Sequence, residues 1–127
     1  MSTILAEIKD NIGIITLNRP DALNAINMQM VDELEEQLNK WKDVGLYAVI
    51  VTGAGRSFAA GADISQMSSY QASQAATFAK RGQQSLRALE RFPAPTIAAV
   101  NIYLFLLNDL YYHYMMFIII KLREKKI

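Results

Sequence analysis

The sequence predicts an α/β fold, and three observations carry that expectation. Strand-like runs alternate with helix-like ones along residues 4–100. The later strand candidates are apolar without interruption. A loop of very small residues, Ala59-Ala60-Gly61-Ala62, separates a strand pattern from a polar, helical one. At 127 residues the chain is long enough to bury the core of one domain.

Ile4 to Ile8 and Ile12 to Leu17 read as two short strands around Asp10-Asn11, spaced for an antiparallel pair. Pro20 stops the second strand, and Asn18 to Ala25 reads as a loop. Asn27 is placed to cap a helix running to about Asp43. Met30, Val31, Leu34, Leu38 and Trp41 lie on its apolar face, and Asp32, Glu33, Glu35 and Glu36 on its wet face. Glu36 and Lys40 form an i,i+4 pair of favourable polarity.

Ala48 to Val51 reads as a strand covered on both faces. After the small-residue loop, Ser68 or Ser69 offers a cap for a second long helix. Its expected apolar stripe is Ala75, Phe78, Ala79, Gly82, Leu86 and Leu89, and it must end by Pro93. Pro95 to Val100 reads as another covered strand. The order strand, helix, strand, helix, strand implies parallel pairing.

The bulk composition excludes several functions. A formal net charge of +1 argues against a nucleic-acid binder. The absence of cysteine removes disulfides and thiolate metal sites, and His113 is the only histidine, so no metal ligands are assigned. Met1 to Glu7 resembles neither a secretory leader nor an amphipathic presequence, which makes the cytoplasm the expected compartment; an organellar protein stripped of its presequence is the alternative. Thr52-Gly53-Ala54-Gly55 contains Gly-x-Gly but has neither the third glycine nor the Gly-Lys-Ser/Thr of a nucleotide loop.

The small-residue run exposes its main chain to any ligand, and Gly61 permits a backbone conformation most residues avoid. If Asp63 and Ile64 open a helical turn, the amides near Ala62 are placed to hold an oxygen as it becomes negative. Close packing of two elements would equally account for such a run.

Three segments, in order and register, resemble the enoyl-CoA hydratase/isomerase (crotonase) family. They are Leu17-Asn18-Arg19-Pro20 with Ala22-Leu23-Asn24-Ala25; Ser57 to Ile64 with Met67; and Pro95 to Asn101. The resemblance covers residues 1–101, the first third to two-fifths of a typical member. It implies part of a fold of repeated ββα turns, binding acyl-CoA thioesters, with no cofactor beyond the coenzyme A of the substrate. It places coenzyme A along the backbone of Ala22, Leu23 and Ala60, one oxyanion donor at the Ala62 N–H, and Asp63 and Ile64 on the acyl side. Intact members assemble as trimers or hexamers.

After Asn101 the pattern stops. The family continues with a glycine triplet that supplies a second donor and with two catalytic glutamates, whereas here Ile102 to Leu110 follows and no glycine occurs beyond Gly82. Hydration needs a base for water and an acid for the α-carbon. Asp32, Glu33, Glu35, Glu36 and Glu90 read as solvated helix faces, and Asp63 as a helix-start residue rather than a proton shuttle. The expected product is a fragment without turnover. The alternative is a non-catalytic module that binds acyl-CoA, pairs with an intact homologue, or is tethered to a membrane.

Residues 102–127 are apolar, then basic. As a membrane anchor, 102–120 has the length of a span, but Asp109 would cost roughly 2.5–3.5 kcal/mol at its centre. A substitute helix or strand over the exposed sheet is a second reading. The A/T-rich codons of its Ile, Tyr, Phe, Met, Asn and Lys favour a third, a frameshift or misread gene end. Uncovered apolar strands predict low solubility and a broad thermal transition.

Overall fold

The structure, a computed structural model, describes the backbone of residues 1–105 and 113–121, with side chains through residue 101. Five strands form one sheet in the order β1-β2-β3-β4-β5: Ile4–Lys9, Ile12–Leu17, Ala48–Gly53, Thr96–Phe105 and His113–Lys121. The first pair is antiparallel, β2–β3 and β3–β4 are parallel, and β4–β5 is antiparallel. The expected α/β grammar therefore holds.

The hairpin between β1 and β2 is a two-residue turn. Asp10 and Asn11 both take positive φ, 52° and 61°, the requirement of the hairpin turn that matches strand twist. Short polar side chains tolerate that region, which is why a turn lacking glycine at either position still closes.

Helix α1, Met28–Trp41, begins where expected: Asn27 Oδ1 accepts a hydrogen bond from the Met30 N–H at 2.9 Å. Its buried residues are Met30, Val31, Leu34, Leu38 and Trp41, and all but Val31 join Ile15, Leu17, Val49 and Val51 of the sheet in one core cluster. A one-turn helix α2, Ile64–Met67, precedes the long helix α3, Ala72–Arg91.

Helix α3 departs from the expectation at its start and on its face. Gln71, not Ser68 or Ser69, caps it, through a reciprocal arrangement with Gln74. Ser68 and Ser69 instead donate their hydroxyls to carbonyls of α2. The buried face is Phe78, Ser85 and Leu89; Leu86 is 57% exposed. Ser85 tolerates burial because its hydroxyl donates to the Gly82 carbonyl at 2.9 Å.

The central strands are covered on one side. Val49, Val51, Thr96 and Ala98 are buried, while their alternating neighbours Ala48, Ile50, Ile97 and Ala99 are half-buried. The continuous apolar runs therefore overstate the cover that the described residues supply. Ile14, Ile50 and Ile97 stand in register across three strands on the open side.

Beyond residue 101 the tail is not left unpaired. β4 continues to Phe105, and β5 pairs with it from Ile97↔Lys121 to Phe105↔His113. The expected open edge of β4 is thus occupied by β5. Asn108 and Asp109 lie outside the described residues. Among the described residues, no helix is long and apolar enough to cross a membrane.

Three of the acidic residues assigned to a solvated helix face are engaged. Glu33 Oε2 accepts from the Ser2 and Thr3 hydroxyls and the Thr3 and Ile4 N–H groups, and so ties the N-terminus to α1. Burial raises the Glu33 pKa, but hydrogen bonds from Gln29, Ser2 and Thr3 outweigh it and hold the carboxyl below its ordinary value. Glu35 and Asp32 both pair with Arg81 of α3 at 2.9 Å, which draws α1 and α3 together. Glu36 alone keeps the expected exposed pair, with Lys40 at 3.3 Å.

Candidate functional site

Two loops and one strand residue converge at the same end of the parallel strands: residues 18–26 after β2, residues 54–63 after β3, and Asn101 within β4. Two buried asparagines hold them. Asn24 Oδ1 accepts from the Arg19 N–H at 2.7 Å, and its amide donates to Ala54 O at 2.9 Å and Ser57 O at 2.7 Å. Asn101 donates to Gly53 O and Gly55 O at 3.0 and 2.9 Å and accepts from the Gly53 N–H. A side-chain amide does this well because it satisfies both backbone donors and backbone acceptors without a charge.

Gly53 is required where the chain folds back on itself. A Cβ there would lie 2.4 Å from the Ser57 oxygen and 2.6 Å from the Phe58 oxygen, both backbone atoms. Phe58 and Ala59 then pack against the core and fix the base of the loop. Past that anchor the chain comes to the surface: Ala60, Gly61 and Ala62 are exposed. Gly61 has φ +106° with open space around its missing Cβ, so its role is conformational.

The small-residue loop pairs with the loop after β2 as a short parallel ladder. Ala60 N–H donates to Leu23 O at 3.0 Å, Ile26 N–H to Gly61 O at 2.7 Å, and Asp63 N–H to Ile26 O at 2.9 Å. Leu23 and Asn24 enter this ladder with φ near +54°, a conformation costly for leucine and maintained by the surrounding bonds. The ladder leaves the N–H groups of Gly61 and Ala62 over. Among the described residues, the Ala62 N–H meets no acceptor.

Asp63 caps α2. Its Oδ1 accepts from the Gln66 N–H at 3.3 Å and the Ser65 hydroxyl at 2.6 Å, and its Oδ2 lies 3.0 Å from Arg19 Nη2. Hydrogen bonds from Ser65 and Gln66 act first, against a desolvation effect, and Arg19 adds to them; together they hold the carboxyl below its ordinary value. A carboxylate so engaged stays ionised and is a poor proton shuttle, in line with its reading as a helix-start residue. The helix it caps has only four residues, so little dipole reaches Ala62. The donor capacity at Ala62 comes from its own unpaired N–H.

The structure thus brings Leu23, Ala60, Ala62 and Asp63 together, with Ala22 one residue away and Ile64 79% exposed beside them. Ala22 and Leu23 have both backbone groups committed: their N–H groups donate within the turn, and their carbonyls accept from Ala25 and Ala60. Groups that remain available at this surface include the Ala60 carbonyl and the N–H groups of Gly61 and Ala62. Asn24 and Asn101, the residues that organise the site, carry no sequence signal of that role beyond their place inside recurring motifs. A groove of about 650 Å³ between α1 and α3, lined by Asp32, Glu35 and Arg81 among others, includes none of the candidate residues.

Comparison with known proteins now supplies the family. Residues 7–105 match the enoyl-CoA hydratase/isomerase family model. The chain is 38% identical over 103 residues to a short-chain-enoyl-CoA hydratase of Clostridium acetobutylicum, covering 80% of this chain and 40% of that protein. It is 44% identical over 104 residues to a probable enoyl-CoA hydratase of Mycobacterium bovis, covering 77% and 38%. Among solved structures, enoyl-CoA hydratase from Mycobacterium smegmatis superposes with a TM-score of 0.76 at 29% identity, covering 79% of this chain and 40% of that one. The chain belongs to the enoyl-CoA hydratase/isomerase family, and it spans about 40% of the length of the curated relatives it matches.

Proposed function

We propose that this chain carries the thioester-binding portion of an enoyl-CoA-processing site and performs no hydration by itself. Coenzyme A lies against the Ala22–Leu23 turn and the Ala60 carbonyl, and the thioester oxygen accepts from the Ala62 N–H. The acyl chain then runs past Asp63 and Ile64. The observation that carries this reading is the unpaired Ala62 N–H at an exposed surface, flanked by the Gly61 carbonyl and the Asp63 N–H, both of which the ladder consumes.

One neutral, fixed donor polarises a carbonyl, and losing such a donor typically costs about 2.7–4 kcal/mol in a transition state. Turnover also requires proton transfer to carbon and from water. Asp63, the only acid in the ladder, is held ionised by its partners. Binding without hydration is the consequence.

Cinnamoyl-CoA tests it, because hydrogen bonding to its conjugated carbonyl moves its absorption to longer wavelength. The purified chain should bind it with such a shift and leave crotonyl-CoA unhydrated. Ala62→Pro deletes the N–H and should abolish the shift; the ladder does not use that N–H. An unchanged shift in that variant would sink the assignment of Ala62. Hydration by the chain freed of host homologues would sink the claim of no turnover.

A further inference from the structure

We infer that Arg19 is a positioning residue for the Ala62 donor, anchoring the 61–63 segment and neutralising the carboxylate that follows it. This rests on the assignment of Ala62 above. The Arg19 guanidinium reaches in two directions: Nη1 donates to the Ala25 carbonyl, and Nη2 pairs with Asp63 Oδ2 at 3.0 Å. Ala25 and Asp63 belong to the two opposing strands of the short ladder, so one side chain spans the pairing that aims Ala62.

The pair is partly withdrawn from solvent, with 23% of the Arg19 side chain and 12% of the Asp63 side chain exposed. Charges in such a setting are screened less than surface charges. That matters because Asp63 is the next residue after the donor. An uncompensated carboxylate there would oppose the negative charge that the Ala62 N–H is placed to stabilise. Asp63 is nevertheless needed, because its Oδ1 caps α2. Arg19 resolves that conflict by cancelling the charge and leaving the cap in place. The forked guanidinium suits the task, since a lysine ammonium presents one point charge and not two fixed directions.

The experiment titrates the full chain with cinnamoyl-CoA and follows both affinity and the long-wavelength shift. Arg19→Met should weaken binding about tenfold and lose the shift. Adding Asp63→Asn to that variant removes the stranded charge while keeping a capping oxygen, and should restore most of the affinity. Arg19→Lys, the milder change should Arg19→Met fail to fold, should fall between wild type and Met.

A wild-type chain with no shift overturns the assignment of Ala62 and this inference together. A normal shift in wild type that survives in Arg19→Met overturns the inference alone. A double variant no better than Arg19→Met removes the charge-cancelling role, which a merely structural contact would not need. Lys equal to Met in affinity and shift also counts against it.

Discussion

The sheet-and-helix core and the loop cluster at its end are held by opposite means. Between α1 and the sheet, many apolar side chains share the work: Ile15, Leu34, Leu38, Trp41 and Val49 all lie in one packed cluster. In the loops, the fold hangs on a few polar atoms with no substitutes. Asn24 serves three backbone groups, Asn101 serves Gly53 and Gly55, and Arg19 joins Ala25 to Asp63. The lesson is that a core tolerates partial loss, whereas a hydrogen-bonded cluster leaves buried groups unpaired when one member is removed.

The largest expected effect lies in the core. Trp41→Ala should lower stability by about 3–5 kcal/mol in urea titration, because its buried ring, beside Leu46, fills the space over Gly13. A loss under 1 kcal/mol would mean the α1–sheet contact is not the dominant one.

Asn24→Ala comes next, at about 3 kcal/mol, since three backbone groups lose their partner. Asn24→Ala should abolish cinnamoyl-CoA binding under conditions where the chain remains folded, as judged by circular dichroism. A destabilised core variant should keep its affinity for as long as it stays folded. Equal effects on binding would erase the distinction between the two regions.

The smallest effect is the response to acid. Glu33 and Asp63 both have depressed carboxyl pKa values in the folded chain. Their contributions are therefore complete above the ordinary carboxylate range, about pH 4–4.5, and are lost as pH falls through the folded values. Stability should decline on acidification below that range. Glu33→Gln should cost about 1 kcal/mol at neutral pH and make the decline shallower. An identical pH profile in that variant would show that the clamp on Ser2, Thr3 and Ile4 contributes nothing through charge.

Much of the fold was legible because its cause is local. The period of Met30, Leu34, Leu38 and Trp41, the capping oxygen of Asn27 and the turn at Asp10-Asn11 each act within a few residues. Where local signals compete, the reading failed: serine is a better cap than glutamine in general, yet Ser68 and Ser69 bond back into α2 and Gln71 begins α3. Leu86 has the right composition for a buried stripe, but the face of α3 that meets α1 carries Ser85. The short ladder at the site was invisible because its members come from loops 35–37 residues apart and carry no hydrophobic period.

By itself, the sequence determined the first four strands, the buried face of α1, the small-residue loop and the kinship carried by three ordered motifs. Each is encoded by neighbours within a turn or two of one another. The three-dimensional arrangement alone decided that Asn24, Asn101 and Arg19 are the members that shape the loop, and that Ala62 retains an unspent N–H. A hydrogen-bonding group is free or consumed according to what the rest of the chain brings beside it. Partners 30 to 48 residues apart leave no periodic trace in the sequence.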